Sequence, residues 1–144
     1  MIEQDTIRLL RECDSGVKMG ISSIGDVLDN IQADDLRHCL SRCLTRHEEM
    51  AGEIEQLLDR YHDSGKEPSP MAKGMSWVKT NAKLAMDPSD AAIADIMTDG
   101  CNMGVKSLHK YLNQYKAADE RSKDIAKRLI GLEEKLTADM RAFL

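Results

Sequence analysis

Along most of this chain apolar residues recur at alternating steps of three and four, the spacing that gathers them on one face of a helix. Near the N-terminus the seam is Leu10, Val17, Ile21, Ile24, Leu28 and Ile31, which predicts a helix over 5–30. A second stripe, Leu36, Leu40, Cys43 or Leu44, His47, Met50, Ile54, Leu57 and Tyr61, predicts a helix over 34–64. Asp34 and Asp35 suit its start, because carboxylates favour the positive end of the helix dipole. Gly65 reads as its stop. "SGKEPSP" at 64–70 is a loop by composition. A short amphipathic helix follows over 70–85, with Met71, Met75, Val78 and Ala82 on its apolar face. "DPSD" at 87–90 then starts a third long helix over 88–115, with Asp87 as its cap and Pro88 in its first position. Ile93, Met97, Cys101, Gly104, Leu108, Tyr111 and Tyr115 lie on its inward side. The last helix, over 119–144, carries Ile125, Leu129, Leu132, Leu136, Met140 and Phe143.

Connection lengths suggest how these helices are arranged. Short joins follow the first and third long helices, and short joins make antiparallel neighbours. The second and third are separated by a segment long enough to travel the bundle, since a helix of about 30 residues is roughly 45 Å long. The expectation is an all-α, up-down-down-up four-helix bundle, a single domain over 1–144, with a short crossover helix between its second and third long helices. The composition agrees. Nine methionines against one Trp, three Tyr and one Phe suit helices packed on helices, whereas sheets draw on aromatic and β-branched residues.

Charge narrows the partners. The formal net charge is −5, and the basic residues are interspersed with acidic ones, so no clustered positive face is expected to neutralise the phosphates of a nucleic acid. No stretch approaches the roughly 20 apolar residues of a membrane span. Charges at Glu3, Asp5, Arg8, Arg11 and Glu12 interrupt the first residues, which do not read as a signal peptide. The expected compartment is the cytoplasm, with Cys13, Cys39, Cys43 and Cys101 as reduced thiols.

One repeat stands out. "CDSGVK" at 13–18 returns as "CNMGVK" at 101–106, and "HEE" at 47–49 is echoed by "LEE" at 132–134. The first pair falls on the first and third long helices, the second on the second and fourth. This implies two similar hairpins related by an approximate two-fold axis. Gly16 and Gly20, and Gly100 and Gly104, form two G-x-x-x-G pairs. Each glycine costs a helix interior about 1 kcal/mol, so an offsetting gain is expected. The reading is that glycine ridges let the first and third helices approach closely, with room for a bound molecule as the rival.

"GVKMG", "PMAKGM", "GCNMGVKSLHKYL" and the closing "LEEKL" give the whole chain a resemblance to the ferritin-like four-helix bundles. More narrowly, it resembles an uncharacterised clostridial-type bacterial ferritin-like family lacking di-iron ligands. Ferritin-like enzymes hold two metal ions with a Glu from each of two helices and Glu-x-x-His from each of the other two. Here Glu48 and Glu49 are followed at that spacing by Ala51 and Gly52, and Glu133 and Glu134 by Leu136 and Thr137. The histidines of the motif are missing, and Glu48 and Glu133 read as solvated flank residues, with relics of a lost site as the other reading.

A softer site is the alternative. Cys43 and His47 lie one turn apart, and Cys13 or Cys101 from facing helices would complete a thiolate–imidazole set suited to zinc or copper. Cys39 is a turn too far along to join them. The plainer reading has the thiols filling the core and His47 satisfied by one hydrogen bond. Asp14, a carboxylate on an apolar seam, is expected to pair with a Lys or Arg or to lie near a bundle end, since burying it unpaired costs several kcal/mol. His38, His62 and His109 are expected to face water. The functional expectation is a non-catalytic interaction or structural module, a homodimer with no cofactor, no metal and no nucleic acid. A soft-metal or thiol redox protein is the alternative.

Overall fold

The computed structural model describes residues 2–68, Leu84 and 89–144. These form four helices and a closing 3-10 turn, with no strand among the described residues. Helix α1 covers Ile2–Leu28, α2 Asp34–Asp59, α3 Asp90–Gln114 and α4 Glu120–Met140, and Arg141–Phe143 makes the final turn. Of the helix expected over 70–85 only Leu84 is described, as a helical residue; its apolar face of Met71, Met75, Val78 and Ala82 lies outside the described residues.

Helix α1 begins and ends two to three residues earlier than expected and α4 stops at Met140 rather than at 144; two further boundaries differ for a local reason. The second helix stops at Asp59, five residues before the expected end. The His62 amide bonds back to the Asp59 carbonyl and the Asp63 amide to the Leu58 carbonyl, at 3.0 and 3.1 Å. This is the Schellman closure, which needs a left-handed residue. His62 occupies it with φ 55°, so the stop is three residues ahead of Gly65. A side chain in that conformation costs about 1 kcal/mol or more. His62→Gly should therefore raise the stability by a few tenths to about 1 kcal/mol, after the glycine's extra unfolded-state entropy is deducted. A thermal melt measures it. The third helix starts at Asp90, not at 88. Ser89 caps it, accepting from the Ala92 amide at 3.2 Å. Asp90 is thereby free for another role: its carboxylate accepts from the Gln32 and Ala33 amides at 2.9 and 2.8 Å.

That contact brings the α1–α2 turn to the start of α3. At the opposite end Asp5 accepts from the Ala117 amide at 3.0 Å, and the buried Thr6 hydroxyl accepts from the Asp119 amide at 2.8 Å. The start of α1 and the α3–α4 turn therefore share that end, where Asp119 also caps α4 by accepting from the Ser122 amide.

The interior falls into two apolar clusters. One holds Leu9, Leu10, Cys13, Val17, Ile54, Leu108, Ile125 and Leu129 among others. The second, toward the α1–α2 turn, is built around Ile24, Val27, Leu36, Leu40, Cys43, Ile93, Met97, Cys101, Leu136 and Met140. Each of the four long stripes contributes to these clusters. Between the clusters all four helices interrupt their apolar stripes at one level, with Gly20 on α1, His47 on α2, Gly104 on α3 and Glu133 on α4.

Candidate functional site

At this waist an ionisable pair, His47 with Glu133, replaces apolar packing. His47 is 1% exposed. Its Nδ1 lies 2.8 Å from the carbonyl oxygen of Cys43, one turn earlier on α2. A carbonyl can only accept, so Nδ1 carries a proton and donates it. The other ring nitrogen, Nε2, lies 2.9 Å from Glu133 Oε1. Exactly one further proton fits between that nitrogen and that oxygen, so the pair is a net-neutral unit whichever atom holds it. Burial works against a charged ring, but the bonds to Cys43 and Glu133 outweigh it and lift His47 to about 10.

The glycines of the repeat explain the space for this pair. A Cβ on Gly20 would stand 2.7 Å from the His47 ring, and one on Gly104 would stand 3.6 Å from the Glu133 carboxylate. The expected close approach of glycine ridges on the first and third helices is therefore not what these residues serve. Their neighbours are side chains of α2 and α4. Gly16 is exposed, with only ordinary contact to Leu129 at 3.9 Å, and Gly100 opens onto empty space. Of the four glycines, Gly20 and Gly104 matter to the waist, and they come from different positions of the repeated motif.

Three of the four soft-ligand candidates converge here. Cys43 Sγ lies 3.5 Å from His47 Nδ1, and Cys101 is buried beside Glu133, Thr137 and Cys43. Cys13 packs in the other apolar cluster, away from them. All four cysteines are free thiols. Burial pushes the Cys13 thiol up to about 12. Burial and the nearby Glu133 carboxylate raise Cys101 as well, so both stay protonated near neutral pH. Cys39, half-buried, donates toward Asp139 at 3.7 Å, and burial with that carboxylate raises it too. Among the described residues no group of three His, Cys, Asp or Glu side chains is placed to hold a metal ion.

Glu133 departs from the sequence expectation. Its side chain is only 12% exposed and anchors the buried histidine, whereas Glu48, the other residue expected on a solvated flank, is exposed. One signal in the sequence pointed this way: a histidine at a core position needs a partner. What was missing was the register of α4 against α2, which no local pattern supplies. Asp14 is paired as expected. It is buried, 2.8 Å from Lys18 Nζ, and its carboxylate accepts from the Lys66 amide at 2.9 Å. His38, His62 and His109 are exposed, and no helix among the described residues is long and apolar enough to cross a membrane.

Comparison with protein-family models, with curated proteins and with solved structures gives no match to this chain.

Proposed function

We propose that this chain is a ferritin-like bundle in the up-down-down-up order that works without catalysis, as an interaction or structural module and as a homodimer. The helix order is supported by the end contacts. Asp90 at the start of α3 bonds to the turn that begins α2, and Asp5 at the start of α1 bonds to the turn that begins α4. The two-hairpin reading is supported by the repeated cysteines, since Cys13 and Cys101 lie in opposite core clusters.

One observation carries the non-catalytic reading: the polar groups at the waist are used up by one another. Both His47 nitrogens are bonded within the fold, and two glycines stand at the same level as the pair. Ferritin-like metal enzymes need inward carboxylates from all four helices. Here α1 and α3 leave space for the side chains of α2 and α4 instead.

A second reading, a soft-metal or thiol site, is favoured by the convergence of Cys43, His47 and Cys101 on one layer. A metal shared by Cys43 and His47 would have to displace the Nδ1 proton donated to the Cys43 carbonyl, and a Cys101 ligand would have to lose a proton that its burial holds. Elemental analysis and thiol titration of anaerobically purified protein separate the two. Four free thiols and no stoichiometric metal are expected; one equivalent of zinc, copper or iron would overturn the first reading in favour of the second. Sedimentation equilibrium tests the dimer, and a monomer at micromolar concentration would remove it.

A further inference from the structure

The residues that follow α2 are fastened along α1 by charge. Asp63 takes a two-point contact from the Arg11 guanidinium. Lys66 Nζ lies 2.7 Å from Glu12 Oε1, and Glu67 Oε1 lies 3.0 Å from Lys18 Nζ. In the middle the Lys66 amide donates to the buried Asp14 carboxylate, which is itself paired with Lys18. Gly65, at φ +83°, lets the backbone pass against Asp14, where any Cβ would collide with the carboxylate. Tyr111 on α3 and Tyr115 just past its end complete the surroundings of Lys66. Residues 63–67 contribute no apolar side chain to either core cluster. Segments held by polar contacts with little apolar burial open at lower free energy than the core.

We propose that residues 63–67 form an ionic strap that opens as a unit while the four helices stay folded, with salt as its release. The Arg11, Lys18 and Lys66 side chains are 46%, 32% and 47% exposed. Their pairs are therefore open to screening, and the Debye length falls from about 10 Å at 0.1 M to about 3 Å at 1 M. The Lys66 amide bond to a buried carboxylate is the latch that closes the strap in register. Opening turns Asp14 from a buried residue into a solvent-facing carboxylate beside Glu12.

Amide hydrogen exchange on the full chain, referenced to an unstructured peptide at each salt concentration, tests this. The Lys66 amide is expected to be protected at 0.05 M sodium chloride and to exchange about tenfold faster at 1 M. Val17, in the middle of α1, should stay unchanged. Asp14→Asn should bring the faster rate at low salt. If that variant loses the fold, Lys66→Gln, which alters an exposed side chain, should still reduce the salt response. Three results would each overturn the strap: a Lys66 amide exchanging in step with Val17, one already unprotected at low salt, or one indifferent to salt and to both substitutions.

Discussion

Glu133→Ala is expected to destabilise the bundle by about 3 kcal/mol, at the lower end of the cost of breaking a buried ion pair. The loss comes less from the bond itself than from what it leaves behind. His47 is 1% exposed, and without Glu133 its Nε2 faces an apolar interior with no partner. The double replacement His47→Leu/Glu133→Leu should recover most of the loss, because it removes both polar groups together. Chemical denaturation of the single and double variants measures this, and equal losses in the two would show that packing volume, not the unpaired ring, sets the cost.

The same pair gives a pH signature whose sign follows from linkage. His47 is lifted from 6.5 to about 10 in the folded chain. The raised proton affinity contributes in full below pH 6.5, and the contribution is lost as pH climbs through about 10. The urea midpoint should fall across that window, and Glu133→Gln should flatten the fall. A wild-type midpoint that does not change between pH 6.5 and 10 would contradict the assignment.

Gly20→Ala is expected to destabilise by about 2 kcal/mol, the usual scale for forcing an extra group into a packed interior. The added Cβ would meet the His47 ring at 2.7 Å, and that ring is tied at both nitrogens, so it has no free direction in which to give. Gly100→Ala has the opposite expectation. Its Cβ would point into open space, and removing a helix-interior glycine should gain up to about 1 kcal/mol. Thermal melts of the two variants form one experiment. If both glycines were there to draw helix backbones together, the two substitutions would move the melting temperature in the same direction.

Much of the architecture was legible in the chain. Helix identity followed from the three-and-four spacing of residues such as Leu36, Leu40, Cys43 and Met50, because that period belongs to one face of a helix whatever it packs against. Cap positions were partly legible. Asp34 and Asp35 stand in the first turn of α2 as expected, but Ser89 rather than Asp87 caps the third helix, and the left-handed closure of α2 fell to His62. The waist was legible only in halves. A core histidine and a glycine repeat were both visible, yet their connection was not, and the glycines were assigned to a helix–helix contact that they do not make.

The sequence by itself determined an all-helical chain with four apolar stripes, two short turns and a buried histidine in need of a partner. These are properties of periodicity and of hydrogen-bond demand, which act over a few residues. Only the tertiary structure decided that Glu133 answers His47, that Gly20 and Gly104 make the room, and that Asp14 receives the Lys66 amide. Each of those depends on how far one helix has slid and turned against another, a quantity set by the sum of many weak contacts and written in no single stretch of the chain.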